Sequence, residues 1–134
     1  MMGQPVAKMG DKVIATDTHI FMIPSPGGPV PTPLPSPFVG NLVTGLSTNV
    51  MIEGKPAATA GSVAINTPPH VPQGGPLQKE ATNQGRIIMG SGTVMINNKP
   101  AARMGDTAMT CNDPADLPVG KVVLAGPCKV LIGG

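Results

Sequence analysis

The sequence predicts a small all-β domain built from short β-hairpins in three related units, and three observations carry that prediction. Val, Ile, Leu and Met come in short alternating clusters, separated by turn residues drawn from 18 Gly and 17 Pro. A fourteen-residue segment recurs along the chain. No apolar pattern of helical period runs longer than a turn or two, although Gln78 to Gln84 is compatible with a short helix.

The clearest copies are Asn49 to Ser62 (NVMIEGKPAATAGS) and Thr93 to Asp106 (TVMINNKPAARMGD), identical at eight of fourteen positions. Each starts with alternating apolar residues and turns at a dipeptide suited to a tight hairpin, Glu53-Gly54 or Asn97-Asn98. Each then resumes at Lys-Pro-Ala-Ala, where a proline opens the second strand and its missing N–H is tolerated. The third copy appears when the chain ends are joined: Lys129 to Gly134 (KVLIGG) followed by Gln4 to Asp11 (QPVAKMGD) has the same length and matches the Thr93 copy at seven positions. The first and last strands should therefore pair, closing a three-unit ring that leaves few bare edges. Between units lie Pro- and Gly-rich loops. The densest, Pro24 to Pro37 (PSPGGPVPTPLPSP), cannot be helical and favours extended, polyproline-like backbone, as a surface loop or as a packed arm.

At 134 residues the chain is read as one domain, 1–134, with no fused effector domain. With Phe21 and Phe38 as the only large aromatics, its interior cannot rest on aromatic bulk. A formal charge of +2 from scattered basic residues gives no nucleic-acid footprint. No charged start precedes a long apolar run, and no stretch reaches the ~20 apolar residues of a spanning helix. The expected location is the cytosol until another machine exports the protein, so thiols or metal ligands are favoured over a disulfide for its two cysteines.

The two histidines fall at matching places in the repeat. His19 lies eight residues after Asp11 and His70 eight after Ser62, and Asp11 and Ser62 are equivalent last positions of their units. Threefold symmetry would bring both to one point on the axis. Cys111 lies in the third equivalent loop, at offset five from Asp106, and Cys128 stands just before the strand that opens the composite unit. His19, His70, Cys111 and Cys128 form a tetrahedral set suited to a structural Zn²⁺, with iron as the second candidate, and a small core has a physical need for such a staple.

Pro100-Ala101-Ala102-Arg103, followed by Gly105-Asp106, spells the motif of the PAAR family, and the chain resembles that family over essentially its whole length. Pro56-Ala57-Ala58-Thr59 and Pro5-Val6-Ala7-Lys8 are degenerate copies. The resemblance implies a cone of β-hairpins with a metal near its sharp end and a broad base seated on a trimeric spike. That spike is the VgrG protein in type VI secretion systems, with counterparts in extracellular injection particles and phage tails. It also implies three histidines and one cysteine as ligands, whereas this chain supplies two of each. One pseudo-threefold monomer can cap a true trimer without symmetry conflict. Val50, Ile52, Val94, Ile96, Val130 and Ile132, or their neighbours, are candidates for contact with the spike. The expected function is a spike tip that aids membrane puncture and effector delivery. One alternative is an effector-loading adaptor that docks cargo on the Pro-rich segment or loops. The other is a zinc hydrolase, disfavoured by a four-ligand site and by the lack, in sequence, of a carboxylate beside a histidine.

Overall fold

A computed structural model describes residues 3–133, and within them every regular element is a strand. In chain order these are β1 (Gln4–Pro5), β2 (Lys12–Ile23), β3 (Val30–Thr44), β4 (Met51–Ile52), β5 (Lys55–Pro56), β6 (Val63–Asn66), β7 (Gln84–Ile87), β8 (Met95–Ile96), β9 (Lys99–Pro100), β10 (Thr107–Thr110), β11 (Leu117–Val123) and β12 (Leu131–Ile132). The short helix compatible with Gln78 to Gln84 does not form. Gln78 N–H instead donates to Ile20 O, and Gln84 opens β7, so strand partners supply what an intrahelical ladder would have.

Three two-stranded hairpins, β1–β12, β4–β5 and β8–β9, carry the repeat. The tight turns of the second and third need positive φ at both central residues, and have it: 52° and 82° at Glu53 and Gly54, 53° and 66° at Asn97 and Asn98. In the hairpin formed from the chain ends, Gln4 pairs with Ile132 and Pro5 with Leu131. Gly134, part of its predicted turn, lies outside the described residues.

The three units meet in a closed cycle of backbone hydrogen bonds. Ala7 N–H donates to Ala102 O (2.9 Å), Ala102 N–H to Ala58 O (3.0 Å) and Ala58 N–H to Ala7 O (3.0 Å). A second cycle links Met9 N–H to Pro56 O, Ala60 N–H to Pro100 O and Met104 N–H to Pro5 O, each 2.9 Å. The three alanines are fully buried. Their single methyl groups let three backbones converge on one axis, which explains why the motif repeats a small residue there. Each unit ends in an equivalent capped turn: Asp11 Oδ2 accepts Lys8 N–H, Ser62 Oγ accepts Thr59 N–H, and Asp106 Oδ2 accepts Arg103 N–H.

From these turns three longer hairpins, β2–β3, β6–β7 and β10–β11, rise and close into a six-stranded barrel. Val13, Phe38, Leu42, Ile87 and Val122 fill it with no more than 1% exposure, each burial contributing about 1.5–3 kcal/mol. At Gly40 a Cβ would lie 2.7 Å from the Phe38 ring, so glycine is required for the fit.

Beyond the barrel only β2–β3 continues, paired in unbroken register from Lys12↔Asn41 to Ile23↔Val30. Of the two conformations compatible with Pro24 to Pro37, the structure takes the packed arm: Val30 to Pro37 is the first half of β3, and the hairpin turns between Ile23 and Val30. The 67–78 segment crosses the arm's inner face, with Met22 N–H bonded to Pro76 O and a bridge between Phe21 and Leu77. It passes so close that a Cβ on Gly75 would meet Met22 O at 2.0 Å. Three hairpins at one end and a single arm at the other give the predicted taper.

Candidate metal centre

Successive strands bring four potential ligands together just above the barrel. Asp17 and His19 are two apart on β2 and so face the same side of the strand. His70 follows β6, and Cys111 follows β10. Their donor atoms all lie within 4.8 Å of one another. His19 and His70 meet with ring centroids 4.8 Å apart and planes tilted by 60°, a juxtaposition that equal offsets in the repeat predict. Asp17 is 0% exposed, His19 1% and Cys111 2%.

Each group is held in place by its own segment. Residues 112 and 113 act as a surrogate strand beside β2: Asn112 Oδ1 accepts Thr18 N–H (2.6 Å), Asp113 Oδ2 accepts Ile20 N–H (2.8 Å), and Asp113 N–H donates to Thr18 O (2.8 Å). That clip fixes Cys111 next to Asp17. His70 is fixed by its own N–H on Asn83 Oδ1 (2.8 Å), and Asn66 Nδ2 lies 3.3 Å from His70 Nδ1. Asp17 gathers the rest: Oδ2 is 2.9 Å from His70 Nε2 and 3.6 Å from Cys111 Sγ, and Oδ1 accepts Thr110 Oγ1–H.

Cys128 is not in this group. β11 runs antiparallel to β2, with Lys121 opposite Ile14 and Val123 opposite Lys12, so the chain leaves the barrel at the hairpin end, away from His19. Ala125 N–H binds Asp11 Oδ1 there, Lys129 N–H reaches Glu53 in a hairpin turn, and Cys128 Sγ lies 3.7 Å from Val130 O. The structure does not bring both cysteines to one end of the ring: Asp17, and not Cys128, lies with His19, His70 and Cys111. Sequence adjacency places no carboxylate beside a histidine, but in space Asp17 contacts His70 and Asp113 lies 3.3 Å from His19 Nδ1.

The residues fit a bound cation. The Asp113 contact is poorly aligned for a hydrogen bond, and both ring nitrogens of His19 are buried without a hydrogen-bond partner. Leaving such a group unsatisfied costs about 1–3 kcal/mol, which a metal bond would remove. Burial, and then the charge of Asp17, push the Cys111 thiol up to about 11. A cation among these groups reverses that electrostatic balance and favours thiolate. Two imidazoles, a thiol and a carboxylate form a donor set compatible with tetrahedral zinc.

A family model described as PAAR motif matches residues 22–114 and 77–134, which together span 22–134. No curated protein and no solved structure matches the chain.

Proposed function

This chain belongs to the PAAR motif family, spike-tip-type proteins of contractile injection systems, and we propose that it caps a trimeric VgrG-like spike as a monomer, sharpening it for membrane puncture and effector delivery. The observation that carries this reading is the threefold cycle of backbone bonds through Ala7, Ala58 and Ala102. It gives one chain three near-equivalent faces with which to meet a threefold partner.

The candidate contact residues divide by environment. Ile96 is buried, and Val50, Ile52, Val94 and Ile132 pack around it, Ala57 and Ala101 in a small second core. Their neighbours Met51, Met95 and Leu131 occupy the same position in the three units and are 53%, 54% and 55% exposed. Three unbranched or γ-branched apolar side chains at threefold positions suit an apolar docking face. The test is to mix the protein with the spike trimer of its own system and measure mass by light scattering. One cap per three spike chains is expected, and is lost in Met51→Asp/Met95→Asp/Leu131→Asp. Three caps per trimer, or a complex indifferent to that variant, refutes the reading.

We infer further that His19, His70 and Cys111, with Asp17, hold zinc, iron being the second candidate, and that the ion has a structural role in a family of structural proteins. Tying β2, the segment after β6 and the segment after β10 together resists opening of the narrow end under load. Metal per chain, measured by mass spectrometry on protein purified without added metal, should be near one. It should fall in His19→Ala, His70→Ala and Cys111→Ser but persist in Cys128→Ser. No helix among the described residues is long and apolar enough to cross a membrane, consistent with delivery by a machine.

A further inference from the structure

The arm carries an exposed proline face outside the hairpin ring, ending at a pocket whose lining includes His70 of the candidate metal centre. Pro31, Pro33, Pro35 and Pro37 occupy alternate positions of β3, so all four rings share one face, and all four are exposed.

The same alternation fixes what the strand's free edge offers. Odd-numbered residues turn their backbone away from β2: Pro35 O accepts Gln73 Nε2–H (3.0 Å), Val39 O accepts Thr67 N–H (3.1 Å), and Val39 N–H donates to Asn66 Oδ1 (2.9 Å). Their cross-strand partners Thr18, Ile20 and Met22 likewise bond away from β3, to residues 112–113 and 76–78. From Pro31 to Pro37 the outward edge therefore presents the carbonyls of four prolines, that of Pro35 already bonded to Gln73, and no N–H. A β-strand cannot add here, because augmentation needs donors and acceptors in alternation. A donor-only side chain can.

At its Pro37 end the row leads into a pocket of about 280 Å³. Pro37 and Val39 form one wall, and Pro68, Pro69 and Val71 the other. No Asp, Glu, Lys or Arg lines it, so a cationic donor would be desolvated without a counter-charge. An indole meets every condition: an apolar body whose face attracts the C–H edges of proline rings, and a single N–H that donates and never accepts. The walls are also cheap to organise, since proline has no side-chain rotamer freedom to lose. The chain has no such group of its own, having no Trp or Tyr, and both phenylalanines are fully buried.

We propose that this proline face and pocket bind a tryptophan-bearing segment of a partner protein, with the indole between Pro37 and Pro68–Pro69 and its N–H directed to the edge carbonyls. The proposal does not depend on the spike reading.

The test titrates the protein as purified with N-acetyl-tryptophanamide, following the methyl resonances of Val39 and Val71, and separately the probe's fluorescence, to which a chain without Trp or Tyr adds no background. Saturable ring-current shifts at those two methyls are expected. N-acetyl-leucinamide should bind roughly tenfold more weakly, the upper end of the aromatic preference. Val71→Glu, at a side chain 63% exposed, should abolish binding while the remaining spectrum shows an intact fold. Pro33→Thr, which restores a donor to the edge, should leave the pocket shifts in place. Equal binding of the leucine probe, a preference for N-acetyl-tyrosinamide, unchanged binding by Val71→Glu, or no saturable shift up to about 20 mM probe overturns the proposal.

Discussion

Replacing His19 with leucine should change the sign of its effect with the metal. His19 is 1% exposed, and both ring nitrogens lack a hydrogen-bond partner. In protein stripped with a chelator, His19→Leu removes two unsatisfied buried polar atoms and keeps an apolar group of similar size, so a gain of about 1–2 kcal/mol is expected. With zinc at a thousand times its dissociation constant, the wild type gains about 4 kcal/mol from binding that the variant forfeits. For a chain of this length, an unfolding entropy of roughly 0.3 kcal/mol/K converts these to a Tm about 5 °C above wild type without metal and roughly 10 °C below it with metal. Calorimetry on both proteins, with zinc and with chelator, measures all four values. If His19→Leu lies above wild type in both conditions, the unsatisfied nitrogens have nothing to do with a cation. If it lies below in both by the same amount, His19 is a packing residue and the metal argument fails.

Three further outcomes follow from geometry already described. Gly75→Ala places a Cβ 2.0 Å from Met22 O and should cost about 1–3 kcal/mol of unfolding free energy by denaturant titration. Asp106→Ala, which strips Arg103 of a buried cap on both its N–H and its guanidinium, should cost about 1–3 kcal/mol; Ser62→Ala, at the uncharged equivalent, should cost about 1 kcal/mol in the same titration. In metal-stripped protein the Cys111 thiol is raised from 9.0 to about 11. The folded chain therefore keeps a proton that the unfolded chain releases, and stability should decline as pH rises from 9 to 11; Cys111→Ser, compared over the same range, should lack that part of the slope.

Much of this fold is legible in the sequence because its units obey local rules. The turns at Glu53-Gly54 and Asn97-Asn98, the prolines at Pro56 and Pro100 and the pairing of residues 4–5 with 131–132 all follow from one repeat aligned with itself. The two histidines are legible for the same reason. Asp17 was within reach, since a residue two before His19 on a strand shares its face, but a carboxylate gives no such signal until the strand is known to be regular. Cys128 lies elsewhere for a reason not written in ligand spacing: β11 carries the chain away from His19 before Cys128 is reached. The strand within the Pro-rich segment was hidden by composition, although prolines at every second position, never adjacent, already describe an edge strand.

The hairpin made from the two chain ends has a consequence for synthesis. Its strands lie at residues 4–5 and 131–132, so β1 waits, unpaired, while everything between them is translated. Val6 N–H finds its acceptor on Val130 across the same separation. Closure across so long a stretch of chain is entropically slow. A polypeptide that stops before Leu131 has two finished hairpins of the ring and lacks the third.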